Sequence, residues 1–312
     1  MNDSFAAINT SKANFDEIYA RQDPRAYFSV LGSLDYMIPD LAAPILRQLL
    51  AVRAQRYGPQ QTVLDVGSSY GVNAALHRFP LSFSALQARY ARHEMTALDS
   101  ERMAQLDRNF YSSWPDVGLA RFIGLDVSAP AVEYALRVGL IDEGLVADLE
   151  RNEITPQQAR IAGQADLILS TGAVGYVTEK TYHQLLKATP RPPWVASFVL
   201  RMFPFEPLAR ALEGHGLVTE KLSGATFVQR RFADVQEFTS TLATLAERGV
   251  DPNGFETEGM LHAELYVSRP EEDARAASLD ELITITSGRH RPVGPRYVQV
   301  ETDRGVEIAL EP

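Results

Sequence analysis

The sequence predicts an α/β protein built on an open, doubly wound sheet of seven strands. Short apolar runs of strand length alternate with amphipathic helical segments of about 10 to 15 residues, the pattern of a parallel sheet covered on both faces. The first run, residues 62–66 (TVLDV), ends in a Gly/Ser turn and passes at once into a helix. Two late runs, 226–232 and 263–268, lie on either side of a single helix and imply an antiparallel finish.

Residues 1–60 read as a helical cap. Amphipathic segments open at Asn14 and Pro24, a third runs over 38–53 with Pro44 near its first turn, and Gly58-Pro59 closes the region. After the strand at 62–66 and a helix over 72–77, residues 81–113 look helical with polar faces. A strand follows at 120–126 (ARFIGLD), a helix at 129–137, a short strand at 144–148 (GLVAD), a Pro-started helix at 155–161 and a buried strand at 165–170 (ADLILS). Thr178 begins a capped helix to about Ala188, residues 194–202 (WVASFVLRM) form another buried strand, and a helix over 206–213 stops at Gly214-His215-Gly216. Helix 234–248 separates the two late strands. Past Pro270 come the charged residues Glu271-Glu272-Asp273 and a tail whose runs 297–300 and 306–310 flank a turn at 302–305, the pattern of a hairpin. The expected organisation is a cap (1–60), a core (61–270, with a helical insertion at about 80–113) and a C-terminal β-hairpin extension (271–312).

Composition narrows the function. Of the 312 residues 45% are hydrophobic and 22% charged, as in an ordinary globular protein. Thirty basic against 40 acidic residues leave a net charge of −10, which argues against a nucleic-acid groove and for a small-molecule partner. With no cysteine, disulfides, thiolate metal sites and cysteine nucleophiles are excluded. The start lacks a secretory pattern, and the most apolar window, 165–177, is too short to span a bilayer, so the expectation is a cytoplasmic protein with no membrane partner. The 26 arginines against 4 lysines suggest a GC-rich bacterial genome. The histidines show no metal-ligand spacing, and no metal is expected.

The most informative stretch is Asp65-Val66-Gly67-Ser68-Ser69-Tyr70-Gly71. A strand that ends in small residues and feeds a helix puts free backbone N–H groups and a close-approach surface at the carboxyl edge of the sheet, where such sheets bind ligands. The dinucleotide fingerprint Gly-x-Gly-x-x-Gly is not met, and Asp65 ahead of the glycine would repel a pyrophosphate while pairing with the amino group of an amino-acid-like ligand. The stretch resembles the first motif of the class I S-adenosylmethionine-dependent methyltransferases, a Rossmann-like superfamily, with Ser69 in place of the middle glycine. Further pieces follow in family order over residues 60 to 270: Asp126 closing the second strand, Asp148 after the third, and the fourth strand over 166–170.

The resemblance implies S-adenosyl-L-methionine as cofactor and a small-molecule methyl acceptor, modified on oxygen, nitrogen or carbon, in bacterial secondary metabolism. It places the methionine end at the loop of Asp65, Gly67, Ser68, Ser69 and Gly71. The ribose goes to Asp126 beside Val127, the adenine to Asp148 and Leu149, and the sulfonium to Thr171 and Gly172. Each residue also has a structural reading: a common turn for the loop, a helix cap for Asp126, a surface turn for Asp148. Two other functions stay open, an NAD(P)- or flavin-dependent oxidoreductase and a methyltransferase-like binding protein without activity.

Methyl transfer from a sulfonium is an in-line displacement that needs alignment and water exclusion, with a base only for a protonated nucleophile. The candidate base is His262, otherwise a structural histidine. Tyr176 is placed at the transfer channel, otherwise in packing. Tyr27 and Tyr36 are expected to cover the site, and Arg201 to hold a substrate carboxylate or to pair with an acid such as Glu206. The 55 residues from Gly71 to Asp126 exceed the usual spacing of about 20; the insertion is expected to form a helical pair with its own core, a lid, or both. The C-terminal hairpin offers an edge strand for a homodimer.

Overall fold

The computed structural model describes residues 8, 15–285, 296–303 and 305–311. The expectations for the first residues, Asn14, His290 and the Arg304 of the turn lie outside them. The architecture is the doubly wound α/β sheet, with helices on both faces.

Three helices come first: α1 (Asp16–Tyr19), α2 (Arg25–Ser33) and α3 (Ile38–Tyr57). Pro39 is the proline of the first turn of α3, and Pro44 lies inside that helix. β1 (Gln61–Val66) then runs through the Gly/Ser loop into α4 (Val72–Arg78). Gly71 caps this helix at φ 77°, and a Cβ there would meet the Cβ of Ala135 at 3.1 Å, so the glycine serves both the left-handed turn and a close helix contact. The insertion forms α5 (Phe83–Tyr90), α6 (His93–Thr96) and α7 (Ser100–Ser112) before β2 (Ala120–Asp126).

From there strands and helices alternate as the sequence implies: α8 (Ala129–Arg137), β3 (Glu143–Val146), α9 (Pro156–Ala162), β4 (Leu167–Thr171), α10 (Glu179–Ala188), β5 (Trp194–Leu200) and α11 (Glu206–Glu213). The finish is β6 (Leu217–Lys221), β7 (Phe227–Arg231), α12 (Val235–Glu247) and the long β8 (Met260–Pro270). The sheet order is β3-β2-β1-β4-β5-β8-β6, with β7 paired to β8. β1 to β5 are parallel, and β8 is antiparallel to β5, β6 and β7.

Eight strands therefore replace the expected seven. The unforeseen one is β6, whose residues LVTEK bury only Leu217. An edge strand carries a weak apolar signature because half of its surroundings are solvent. β5, by contrast, is buried at every position. Each large apolar side chain on it contributes roughly 1.5–3 kcal/mol by leaving water. The cap and core share one interior: Ile38, Leu46 and Leu49 of α3 are buried in the same cluster as Val63 of β1 and Ile168 of β4.

Beyond β8 the charged stretch folds into α13 (Glu271–Ala276), and Asp273 is buried, accepting from Trp194 Nε1 at 2.7 Å and from Tyr57 Oη at 2.9 Å. After α14 (Leu279–Leu282), β9 (Arg296–Thr302) and β10 (Gly305–Glu311) pair antiparallel as the expected hairpin, in a sheet of their own. Among the described residues no helix is long and apolar enough to cross a membrane.

The insertion is fastened to the core by one buried carboxylate. Asp107 on α7 accepts from Arg89 Nη2 at 2.8 Å, Tyr90 Oη at 3.1 Å and Tyr134 Oη of α8 at 2.7 Å, and is fully buried. Asp107→Ala leaves a guanidinium and two hydroxyls without their acceptor and is expected to cost about 3–5 kcal/mol, read as a fall in the urea midpoint. A loss below about 1 kcal/mol would show that the insertion is held by its other contacts, apolar packing and the Arg25 hydrogen bonds to Met95 and Leu98 among them.

Candidate functional site

β1 is the topological switch point of the sheet, since the chain builds outward through β2 and β3 on one side and returns through β4 and β5 on the other. Loops at such a point diverge and leave a crevice at the carboxyl edge. Here the loops after β1, β2, β3 and β4, together with the N-terminal helices and β7, enclose a cavity of 920 Å³.

Its floor is the loop after β1. The Gly67 and Ser68 amides both donate to the Leu125 carbonyl, at 2.8 and 3.1 Å, and the Gly71 amide donates to Ser68 O at 2.9 Å. Ser69, in the left-handed region at φ 48°, donates its amide to Asp126 Oδ2 at 2.8 Å. That conformation costs a non-glycine residue of order 1 kcal/mol, which the charge-assisted bond offsets. The expectation of free N–H groups is thereby corrected, since four of the loop's amides are already engaged within the protein. The Ser68 and Ser69 hydroxyls are buried on the wall without a partner among the described residues.

Asp65 stands behind this wall, 1% exposed. Asn73 Nδ2 lies 3.0 and 3.1 Å from its two oxygens and 3.0 Å from Thr171 Oγ1, so Asn73 and Thr171 are the cavity-facing members of the group. Burial pushes the Asp65 carboxyl up to about 7; the Asn73 bond opposes that rise and the neighbouring charge of Asp126 adds to it. Gly71 is likewise off the cavity wall, where its role is the helix contact described above.

Asp126, Val127, Asp148 and Leu149 all line the cavity. Asp126 also accepts from the Ser128 amide at 2.9 Å, and its carboxyl is raised by burial, so cap and cavity wall are one residue. Asp148 accepts from the amides of Glu150 and Arg151, both at 3.2 Å, and so organises a turn while facing the cavity. Val127 is 68% exposed at the rim. On the β4 side Thr171 and Gly172 lie on the wall, and Tyr176, 52% exposed, stands at the mouth.

The roof is aromatic. Tyr27, Tyr36 and Tyr19 line it, with ring centroids 5.6 Å (Tyr19 to Tyr27) and 6.4 Å (Tyr27 to Tyr36) apart, edge to face. Burial pushes the Tyr36 phenol up to about 12 and raises those of Tyr19 and Tyr27 as well, so all three are protonated at neutral pH. Two hydroxyls anchor the roof to the floor: Tyr70 Oη shares its proton between the Arg21 and Ile18 carbonyls, at 2.8 and 2.9 Å, and Ser128 Oγ donates to Tyr19 O at 2.5 Å.

The insertion contributes no residue to this cavity wall, which corrects the lid expectation. It supports the roof from behind: Tyr90 stacks on Phe28 of α2 at 4.8 Å, and Arg25 Nη1 donates to the carbonyls of Met95 and Leu98 at 3.0 and 2.9 Å.

Two expected residues lie away from the cavity. Arg201 pairs with Glu256 at 2.5 Å and donates to Asp251 O at 2.8 Å, with the Phe255 ring 4.1 Å from its guanidinium. The loop between α12 and β8 thus closes over the end of β5, and the acid that holds Arg201 is Glu256, not Glu206. His262 lies beside the same loop, its Nδ1 3.1 Å from Thr226 Oγ1 and its ring against Phe255; burial and the Arg201 charge lower its basicity. Among the described residues, no group of three His, Asp or Glu side chains could hold a metal ion.

The sequence reading missed Asn73, Tyr19, Gln229 and Arg230, all on the wall. A signal for Asn73 was available: it is a polar residue in the first turn of the helix that follows the glycine loop, and that turn folds back beside the end of β1. Arg230 is held by Glu237 at 2.6 and 2.8 Å, a buried bidentate pair.

No protein-family model and no curated protein matches the chain. Among solved structures it is similar to the magnesium protoporphyrin IX methyltransferase ChlM from Synechocystis PCC 6803 with bound SAM, at 12% identity over 86% of this chain and 98% of that one, with a TM-score of 0.38. It is also similar to the plantazolicin methyltransferase BamL in complex with a triazolic desmethylPZN analog and SAH, at 12% identity over 86% and 97% of the two chains, TM-score 0.44. A third is the [4+2]-cyclase SpnF, at 13% identity over 72% and 80%, TM-score 0.33.

The buried Asp65 makes a pH prediction. Its folded pKa, about 7, lies above the ordinary value of 3.8, so between these values the folded state binds more protons and stability falls as pH rises. Asp65→Asn is expected to raise the melting temperature of the ligand-free protein, by an amount that grows from pH 5 to pH 7 and is constant above. Equal melting curves for the two proteins at pH 8 would mean that Asp65 is ionised and compensated in the folded state.

Proposed function

We propose that the protein is an S-adenosylmethionine-dependent methyltransferase acting on a small-molecule acceptor. The observation that carries this reading is the meeting of Asp126, Asp148 and the Asn73–Asp65 pair around one cavity at the switch point, above a loop whose amides are already engaged. Such a wall presents acceptors and negative charge. A dinucleotide pyrophosphate needs the opposite, whereas a nucleoside with two ribose hydroxyls, an exocyclic amino group, an ammonium and a sulfonium brings donors and positive charge.

The residues fit that group. Asp126 would take the ribose hydroxyls and Asp148 the adenine amino group, with Leu149 against the ring. The amino end would lie toward Asn73 and the charge of Asp65, beside the two unpartnered serine hydroxyls. When bound, the group supplies a methyl on a positively charged sulfur, open to in-line attack. The protein's part is then alignment and exclusion of water: Tyr19, Tyr27 and Tyr36 close the roof, and Tyr176 stands at the mouth, where the acceptor enters. A 920 Å³ cavity suits a cofactor and a small metabolite, and the arginine-rich composition supports a bacterial setting.

Differential scanning fluorimetry with S-adenosylhomocysteine and, separately, NADH tests this reading. S-adenosylhomocysteine at about 100 times its Kd is expected to add about 2.7 kcal/mol to stability, with no shift from NADH. Asp126→Asn is expected to weaken S-adenosylhomocysteine about 10- to 100-fold, the value of one or two hydrogen bonds to a charged acceptor. Stabilisation by NADH, or an unchanged S-adenosylhomocysteine affinity in Asp126→Asn, would contradict it.

A further inference from the structure

β7 carries an irregularity that aims a side chain. Successive residues of a regular strand face opposite sides of the sheet, yet Gln229 and Arg230 both line the cavity. The pairing of β7 with β8 explains this: Val228 faces His262 and Arg230 faces Leu261, so Gln229 is the extra residue of a β-bulge. Bulges of this kind re-aim side chains next to binding sites. The backbone of the bulge is pinned, since the Gln229 carbonyl accepts from the Met37 amide at 2.8 Å and the Arg231 amide donates to Leu34 O at 2.7 Å.

The Gln229 side chain is only 6% exposed, and its amide makes no hydrogen bond to another group among the described residues. An amide that lines the cavity and has no protein partner among the described residues is open to a bound group of matching polarity. Its place is prepared by Gly172, against which the amide lies. Gly172, at φ 84°, has no side chain where a Cβ would lie 2.3 Å from Gln229 Nε2. The charges nearby are cancelled or engaged: Arg230 by Glu237, and Glu150 by the hydroxyls of Thr178 and Thr181, at 2.7 and 2.6 Å.

We propose that the Gln229 amide is a specificity-determining group that reads a paired donor and acceptor on a neutral acceptor molecule, that is, a carboxamide, lactam or peptide-like amide. A primary amide presents one acceptor and a donor side by side, the complement of another amide. The tyrosine roof supplies flat apolar walls on which a planar amide-bearing ring rests. This assignment rests on the cofactor reading above, which leaves the β7 side of the cavity to the acceptor.

The test uses the full-length protein saturated with S-adenosylhomocysteine and two probes, isoquinolin-1(2H)-one and its N-methyl derivative, titrated by ligand-observed NMR. The lactam, with N–H and C=O together, is expected to bind at least 10-fold more tightly than the N-methyl compound, which lacks the donor. In Gln229→Met the difference is expected to vanish while S-adenosylhomocysteine affinity is unchanged. Equal binding of the two probes to the wild-type protein, binding of neither, or discrimination that survives in Gln229→Met overturns the assignment. Failure of S-adenosylhomocysteine itself to bind refutes instead the cofactor reading on which it stands.

Discussion

The hydrogen bond from the Ser69 amide to Asp126 joins the two strands that define the site. It fixes the left-handed turn of the glycine loop, holds the acid that ends β2 at the cavity, and satisfies an amide that would otherwise be free to bind an anion. With Gly67 and Ser68 donating to Leu125, the loop is closed upon β2 and its outward face is set by carboxylates and hydroxyls. The proposed preference for a cationic, donor-rich nucleoside over a phosphate rests on that arrangement.

The remaining elements are supports for this floor. Tyr70, from the loop itself, and Ser128, from the turn after Asp126, hold the backbone of residues 18–21 and so place the roof. α2 carries Tyr27 of the roof, and the insertion, locked by the buried Asp107, presses on it through Phe28 and Arg25. A segment that touches no part of the cavity thus helps to decide how the cavity is closed.

Much of this was legible in the sequence because its physical cause is local. Strands buried on both faces, such as β4 and β5, read as continuous apolar runs, and acids that end strands, such as Asp126, stand out against them. The rest depends on tertiary context. β6 was hidden because an edge strand need bury only one residue. Arg201 and His262 fall at the ligand edge by topology, yet the loop before β8 covers them through Glu256 and Phe255, which lie more than 50 residues beyond Arg201 in the chain. Gln229 escaped notice because its orientation comes from a bulge, and a bulge is a property of two paired strands, not of one.

The most direct test of the central claim is the crystal structure of the protein grown with S-adenosylhomocysteine. The ribose hydroxyls are expected on Asp126, the adenine amino group within hydrogen-bonding distance of Asp148, and the amino end beside Asn73 with Asp65 behind it. Adenosine density away from Asp126 and Asp148, or a ligand whose carboxylate occupies the place given to the amino end, would contradict it.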